Sequence, residues 1–155
     1  MSLMSTSAPF LSHDQLLEVF TLTQMPTAIH VGEDAIIQTA NDAMLKVWGK
    51  DRSVIGKTLE EALPELKGQP FIDMFRRVWN EGLTISGTDT AAELEVEGKI
   101  ETYYFDFEYR AVKDDTGKTI CILHMALDVT DRVLKKNALA LAYKNEVALE
   151  REQAL

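Results

Sequence analysis

The chain has 155 residues, 46% of them hydrophobic and 26% charged, with a formal net charge of −9 and one cysteine. That length holds one compact domain with a short extension, and the composition provides enough apolar surface to fold without disulfides or metals. From Asp131 onward five basic residues face four acidic ones, so the preceding part is strongly acidic; with no basic stripe, it is a poor ligand for nucleic-acid phosphates. No nucleic-acid partner is expected. Cys121 alone builds no disulfide framework and fits a reducing compartment. No apolar run approaches the roughly 18–20 residues that span a bilayer, so no direct membrane insertion is expected. Residues 1–11 lack the pattern of a secretory leader and read as an expression scar (Met1-Ser2-Leu3 before Met4) followed by disordered chain. These features give a soluble, cytoplasmic protein as the expectation.

Ser12-His13-Asp14-Gln15 fits a capping box, and Leu16, Leu17, Val19 and Phe20 follow on one helical face. A flanking helix over 12–24 is therefore expected, stopped at Met25-Pro26. Two short strands, Thr27 to Val31 and Ala35 to Thr39, flank the turn Gly32-Glu33-Asp34. Asn41 is a good N-cap for a short helix carrying Met44, Leu45 and Trp48 and ending at Gly49. Thr58-Leu59-Glu60-Glu61 repeats the capping pattern before Pro64.

The best helix runs from Phe71 to Glu81, with Pro70 at its start and Gly82 past its end. Phe71, Met74, Phe75, Val78 and Trp79 make one bulky stripe, opposite Asp73, Arg76, Arg77 and Asn80. From Ala92 the period becomes two: Ala92, Leu94 and Val96 alternate with glutamates, the pattern of a half-exposed edge strand. After Gly98, Tyr103, Phe105, Phe107 and Tyr109 alternate with Tyr104, Asp106, Glu108 and Arg110. Asp114-Asp115-Thr116-Gly117 turns the chain into Ile120 to Leu127, apolar almost throughout and expected to be central and covered on both faces. Hairpin connections predict an antiparallel sheet with short helices on one face, an α+β fold. The N-terminal helix, a partner subunit or both would supply the second cover.

This order, closed by Asp128-Val129-Thr130-Asp131-Arg132, resembles the PAS domains, or sensory boxes, of bacterial signalling proteins, sensor histidine kinases among them. Asn41 matches the asparagine that opens the first core helix in that family. Phe105-Asp106-Phe107-Glu108-Tyr109, the Asp114-to-Gly117 turn and Ile122 to Thr130 resemble its closing strand pair. The resemblance spans about Leu16 to Arg132. It implies a five-stranded, profilin-like antiparallel sheet with a core over 25–130, and a signalling helix over 131–155. It further implies a non-catalytic sensor and dimerisation module in two-component signalling, with Asp128 holding the junction. From the residues alone, Thr130 is expected to N-cap the last helix and Asp131 to sit in its first turn; the resemblance adds Arg132 to the signal-relay junction.

Leu134, Ala138, Leu141, Asn145, Ala148, Glu152 and Leu155 follow a heptad spacing, with Asn145 placed to fix register. The pattern predicts a coiled-coil helix that stops mid-repeat, hence truncation. It also predicts a homodimer through the N-terminal and C-terminal helices, and the resemblance implies an output domain in cis.

Catalytic patterns are absent: there is no P-loop, dinucleotide fingerprint, zinc spacing or nucleophile elbow. His30 and His124 are expected on adjacent strands as packed or hydrogen-bonded side chains. Asp106 and Glu108 share a strand face that reads as solvent-facing. An isomerase- or dehydratase-like enzyme would require Asp106 and His30 or His124 to converge in a cavity. The resemblance argues against haem, because 71–81 holds no histidine, and against a LOV-type flavin adduct, because the cysteine motif is missing. Trp48 or Trp79 could stack on a non-covalent flavin, a redox-sensing alternative. A small ligand could instead lie between the long helix and the sheet, against Trp48, Phe75, Val78, Trp79, Phe105, Phe107 and His124; ordinary filled packing is the competing expectation.

Overall fold

The computed structural model describes residues 10–154, so the expectation for the first eleven residues falls almost wholly outside the described residues, as does Leu155. Helix α1 (His13–Leu22) opens on the Ser12 capping box, with the Gln15 amide donating to Ser12 Oγ at 3.1 Å and the Ser12 amide to Gln15 Oε1 at 2.8 Å. Strands β1 (Thr27–Val31) and β2 (Ile36–Ala40) form a hairpin. Helices α2 (Asp42–Trp48), α3 (Leu59–Ala62) and α4 (Phe71–Glu81) follow, with single 3-10 turns at Arg52–Val54 and Pro64–Leu66. Strands β3 (Thr84–Val96), β4 (Lys99–Lys113) and β5 (Thr119–Asp128) precede the long helix α5 (Thr130–Ala154).

The sheet is five-stranded and antiparallel, ordered β2-β1-β5-β4-β3, with α2, α3 and α4 over its inner face. Two expectations about the strands need correction. Strand β3 begins at Thr84, eight residues before the apolar alternation. Thr84, Ser86, Gly87 and Thr90 are polar or small, so hydrophobic period gave no signal there, although the backbone pairs with β4 through Arg110 to Phe105. Strand β5 is central, yet the described residues cover only its inner face. Ile122, His124 and Ala126 are buried, whereas Cys121, Leu123 and Met125 are half-buried and Leu127 is 45% exposed. Helix α1 is not the second cover: it lies beside α2, and none of its residues is buried.

Asn41 does more than cap α2. Its Oδ1 accepts from the amides of Met44 at 2.9 Å and Thr27 at 3.0 Å, while its Nδ2 donates to the carbonyls of Thr23 and Met25 at 3.1 and 2.7 Å. Fully buried and fully bonded, it ties the α1–β1 connection to the first core helix. On the opposite flank the helical arm seals the edge of β3. Gln69 brackets both the amide and the carbonyl of Glu93 at 2.9 Å, and the Glu65 carboxylate accepts from the Glu95 amide at 3.0 Å. Gly49, left-handed at φ 67°, lets α2 end against this strand: a Cβ there would lie 2.9 Å from Val96 Cα.

Candidate functional site

Aromatic rings from three sources meet under the helical layer: Trp48 of α2, Phe75 of α4, and the inward residues of β1, β4 and β5. Phe75 stacks on Tyr109 with centroids 4.0 Å apart and lies 4.6 Å from the His30 ring. Tyr109 stands edge-on to His124 at 4.8 Å. At the centre, Nε2 of His30 lies 3.2 Å from Nδ1 of His124, and Nδ1 of His30 lies 3.2 Å from the Ala35 carbonyl.

A carbonyl only accepts, so His30 carries its proton on Nδ1 and presents a bare Nε2 to its neighbour. His124 must then donate from Nδ1. Burial pushes His30 down to about 4 and His124 well below the ordinary imidazole range, the second also opposed by the charge His30 would carry. Both rings are therefore neutral near pH 7. Burial likewise pushes the Tyr109 hydroxyl up.

Beside this pair lies a partly open cavity of about 50 Å³. Trp48, Phe75, Phe105, Phe107 and His124 line it, together with Tyr109, Leu59, Leu63, Leu66 and Leu94. Two residues expected at this wall stand elsewhere. Val78 is buried but does not line the cavity, and Trp79 lies half-buried at the far end of α4 beside Lys113, Lys118 and Thr119. The helix turns Trp79 past the sheet edge, a rotation that an apolar stripe read by period alone does not resolve. As packed, the cavity is too small for a flavin: small-molecule sites enclose roughly 300–1,000 Å³, and of the two tryptophans Trp48 alone lines this space. The enzyme geometry is not assembled either, because Asp106 points to the outer face while the histidines lie on the inner one.

The other feature is the junction between sheet and α5. Thr130 is not its own helix's cap, contrary to expectation. Asp128 Oδ1 accepts from the Thr130 amide at 2.9 Å and its hydroxyl at 2.6 Å, so Asp128 closes the turn. This frees the Thr130 hydroxyl oxygen to accept from the Tyr104 amide at 3.0 Å, and Val129 donates to the Tyr104 carbonyl at 2.7 Å. Asp131 sits exposed in the first turn, where the helix dipole favours an anion.

Arg132 reaches back to the sheet, bonding Asp106 at 2.8 Å and also Asp89, and Lys136 bonds Asp89 at 3.1 Å. These cations hold both carboxylates below the usual range, and the two carboxylates hold Arg132 above its own. Asp106 is thus an anchor for the helix.

Asp89 and Lys136 escaped sequence reasoning. Asp89 sits at φ 49° in the register shift between Gly87 and Thr90, and its amide donates to Asp106 at 3.0 Å. Gly87 enables the shift, since a Cβ there would meet the Phe107 ring at 2.7 Å. The only sequence signal was a glycine amid small polar residues. Tyr109 could have been added to the cavity wall from its alternation with Phe105 and Phe107.

A family model described as "PAS fold" matches residues 22–134. The chain belongs to the PAS family. The family is in general sensory and non-catalytic, and its members include binders of flavin and other ligands. Among solved structures, an RNA-binding light-oxygen-voltage receptor is 18% identical with a TM-score of 0.67, over 97% of this chain and 42% of that one. The PAS domain of Bordetella pertussis BvgS is 22% identical with a TM-score of 0.54, over 86% of this chain and 99% of that one. Vibrio cholerae VqmA in a ligand–DNA complex is 20% identical with a TM-score of 0.59, over 80% of this chain and 54% of that one. At these identities the likeness establishes the PAS fold alone. The chain spans less than half the length of the light-oxygen-voltage receptor. Among the described residues no helix is long and apolar enough to cross a membrane.

Proposed function

We propose that this PAS domain is a non-catalytic sensor and dimerisation module in bacterial two-component signalling. Its input is the occupancy of the cavity beside the histidine pair. Its output is the angle or register of α5, read by an output domain in cis, a histidine kinase core in this reading. One observation carries it: strand β4 faces the cavity with Phe105, Phe107 and Tyr109 and holds α5 with the intervening Tyr104 and Asp106. A change in packing on one face of that strand therefore moves the anchors on the other, provided the ligand binds the two arrangements with different affinity.

Dimerisation is supported by unpaired apolar surface on both flanking helices. Leu16, Leu17, Val19 and Leu22 of α1 are each more than half exposed, as are Leu134, Leu139, Leu141 and Leu149 of α5. A nucleic-acid-binding output is the alternative, since the light-oxygen-voltage receptor is RNA-binding and VqmA is seen in complex with DNA. The net charge of −9 argues that this segment itself would not touch either.

Native mass spectrometry of the intact chain, followed by denaturation, tests both halves. A dimer, and a small mass released on unfolding, are expected. A strict monomer at high micromolar concentration would overturn the dimer, and Leu141→Lys should weaken it if α5 forms the seam.

A further inference from the structure

The geometry points to a ligand class for the cavity: a small, neutral, mostly apolar molecule that donates one hydrogen bond to Nε2 of His124. This rests on the sensor reading for the purpose of the cavity, but its chemistry follows from the proton positions. The Ala35 carbonyl fixes the proton of His30 on Nδ1, His30 Nε2 then takes the Nδ1 proton of His124, and the last nitrogen of the relay is a lone pair. No protein donor bonds that nitrogen among the described residues, and it keeps some contact with solvent although His124 is only 5% exposed. His124 lines the cavity, and Tyr109, edge-on to its ring, makes no hydrogen bond to it among the described residues.

That nitrogen has no protein donor among the described residues, so a ligand that brings one gains a hydrogen bond that a purely apolar ligand does not. Charge selects further. Among the described residues no Lys, Arg, Asp or Glu lines the cavity, so an anion would enter without a counterion and face a lone pair. The remaining wall is mostly aliphatic and aromatic, with Thr90 and Tyr109 its hydroxyl-bearing residues, and asks for a mostly apolar body.

Size sets the mode of entry. A benzene-binding cavity measures about 150 Å³, whereas this one is about 50 Å³ as packed. A short alcohol enters directly, while a ring requires the arm at 64–69 to swing outward. That arm is held to β3 chiefly by Gln69 and Glu65.

The test uses monosubstituted benzenes, three of them matched in size. Phenol and toluene each have seven non-hydrogen atoms and differ in the donor; aniline supplies an N–H donor and benzoate a charge. Titration of the whole chain, followed by calorimetry and by the His124 imidazole resonances, should find phenol and aniline bound at least about tenfold tighter than toluene. Benzoate should bind weakest. Equal affinity for phenol and toluene would overturn the proposal, and so would resonances that none of the four probes moves. His124→Phe should erase the phenol–toluene difference, yet the wild-type ratio decides even if that variant fails to fold. Selective binding that leaves the α5 amides unmoved would keep the ligand class and sink the relay instead.

Discussion

The two faces of β4 are built on opposite principles. Inward, Phe105, Phe107 and Tyr109 meet Phe75, Trp48 and two neutral histidines in a space without formal charge. Outward, Asp106 joins Asp89, Arg132 and Lys136 in ion pairs whose members stay roughly a third to two thirds exposed. Buried aromatic packing contributes several kcal/mol per residue and responds sharply to shape. Exposed ion pairs contribute little and are screened by salt. The inner face should therefore fix whether the domain folds, and the outer face where α5 points.

The sharpest test of the inner face is Phe75→Ala. Phe75 is 1% exposed and touches both Tyr109 and His30. Its loss should reduce unfolding free energy by about 3–5 kcal/mol, read from denaturant midpoints. A loss below about 1 kcal/mol would mean the cavity collapses around the gap and the inner face is not rigidly packed.

How legible these faces were in the sequence differs in the same way. The inner one announced itself through period: Phe71 and Phe75 at helical spacing and Phe105 and Phe107 at strand spacing each predict burial, and all four are buried. Period does not resolve which end of an apolar stripe borders a cavity, and so Trp79 was misplaced. The outer one depends on a bulge at Gly87 and on residues distant in the chain, Asp89 with Arg132 and Lys136. Charges on polar faces carry no period that marks a partner, so Asp106 read as merely solvent-facing. The junction was recognisable as Asp128 to Arg132, but which of Asp128 and Thr130 caps α5 depends on the Tyr104 amide arriving from β4.

The histidine pair adds a pH dependence to the inner face alone. Its folded pKa values are depressed, so between pH 6.5 and 4 the unfolded chain binds more protons than the native one. Stability from the pair is complete above the unfolded value near 6.5 and is lost as pH falls toward 4. With nearly one extra proton per histidine in the unfolded state, unfolding free energy should drop by roughly 2 kcal/mol per unit between pH 6 and pH 5. Denaturant titrations across that interval measure the slope. A slope of about half that size would show that one ring is already charged in the native state, a flat profile that both are, and the proton order inferred from the Ala35 carbonyl would fail in either case.

The smallest effect on stability belongs to the outer face, and it is the one that separates the two roles. Arg132→Ala removes both bonds to the sheet but leaves the Asp128–Thr130–Tyr104 turn and the buried Val129 and Val133 in place. The unfolding midpoint should therefore hardly move, while amide hydrogen exchange in the first two turns of α5 accelerates several-fold. Added salt should do to the wild type a weaker version of the same thing, since the Arg132 side chain is 53% exposed. Asp106→Asn is the finer probe, because an amide oxygen can still accept from the Asp89 amide while losing the charge that draws Arg132. If that variant exchanges like Arg132→Ala, the charge holds the helix; if it exchanges like wild type, the bulge geometry does. Unchanged exchange in both would mean that the turn at Asp128, the buried Val129 and Val133 and the Lys136–Asp89 pair hold the helix without Arg132.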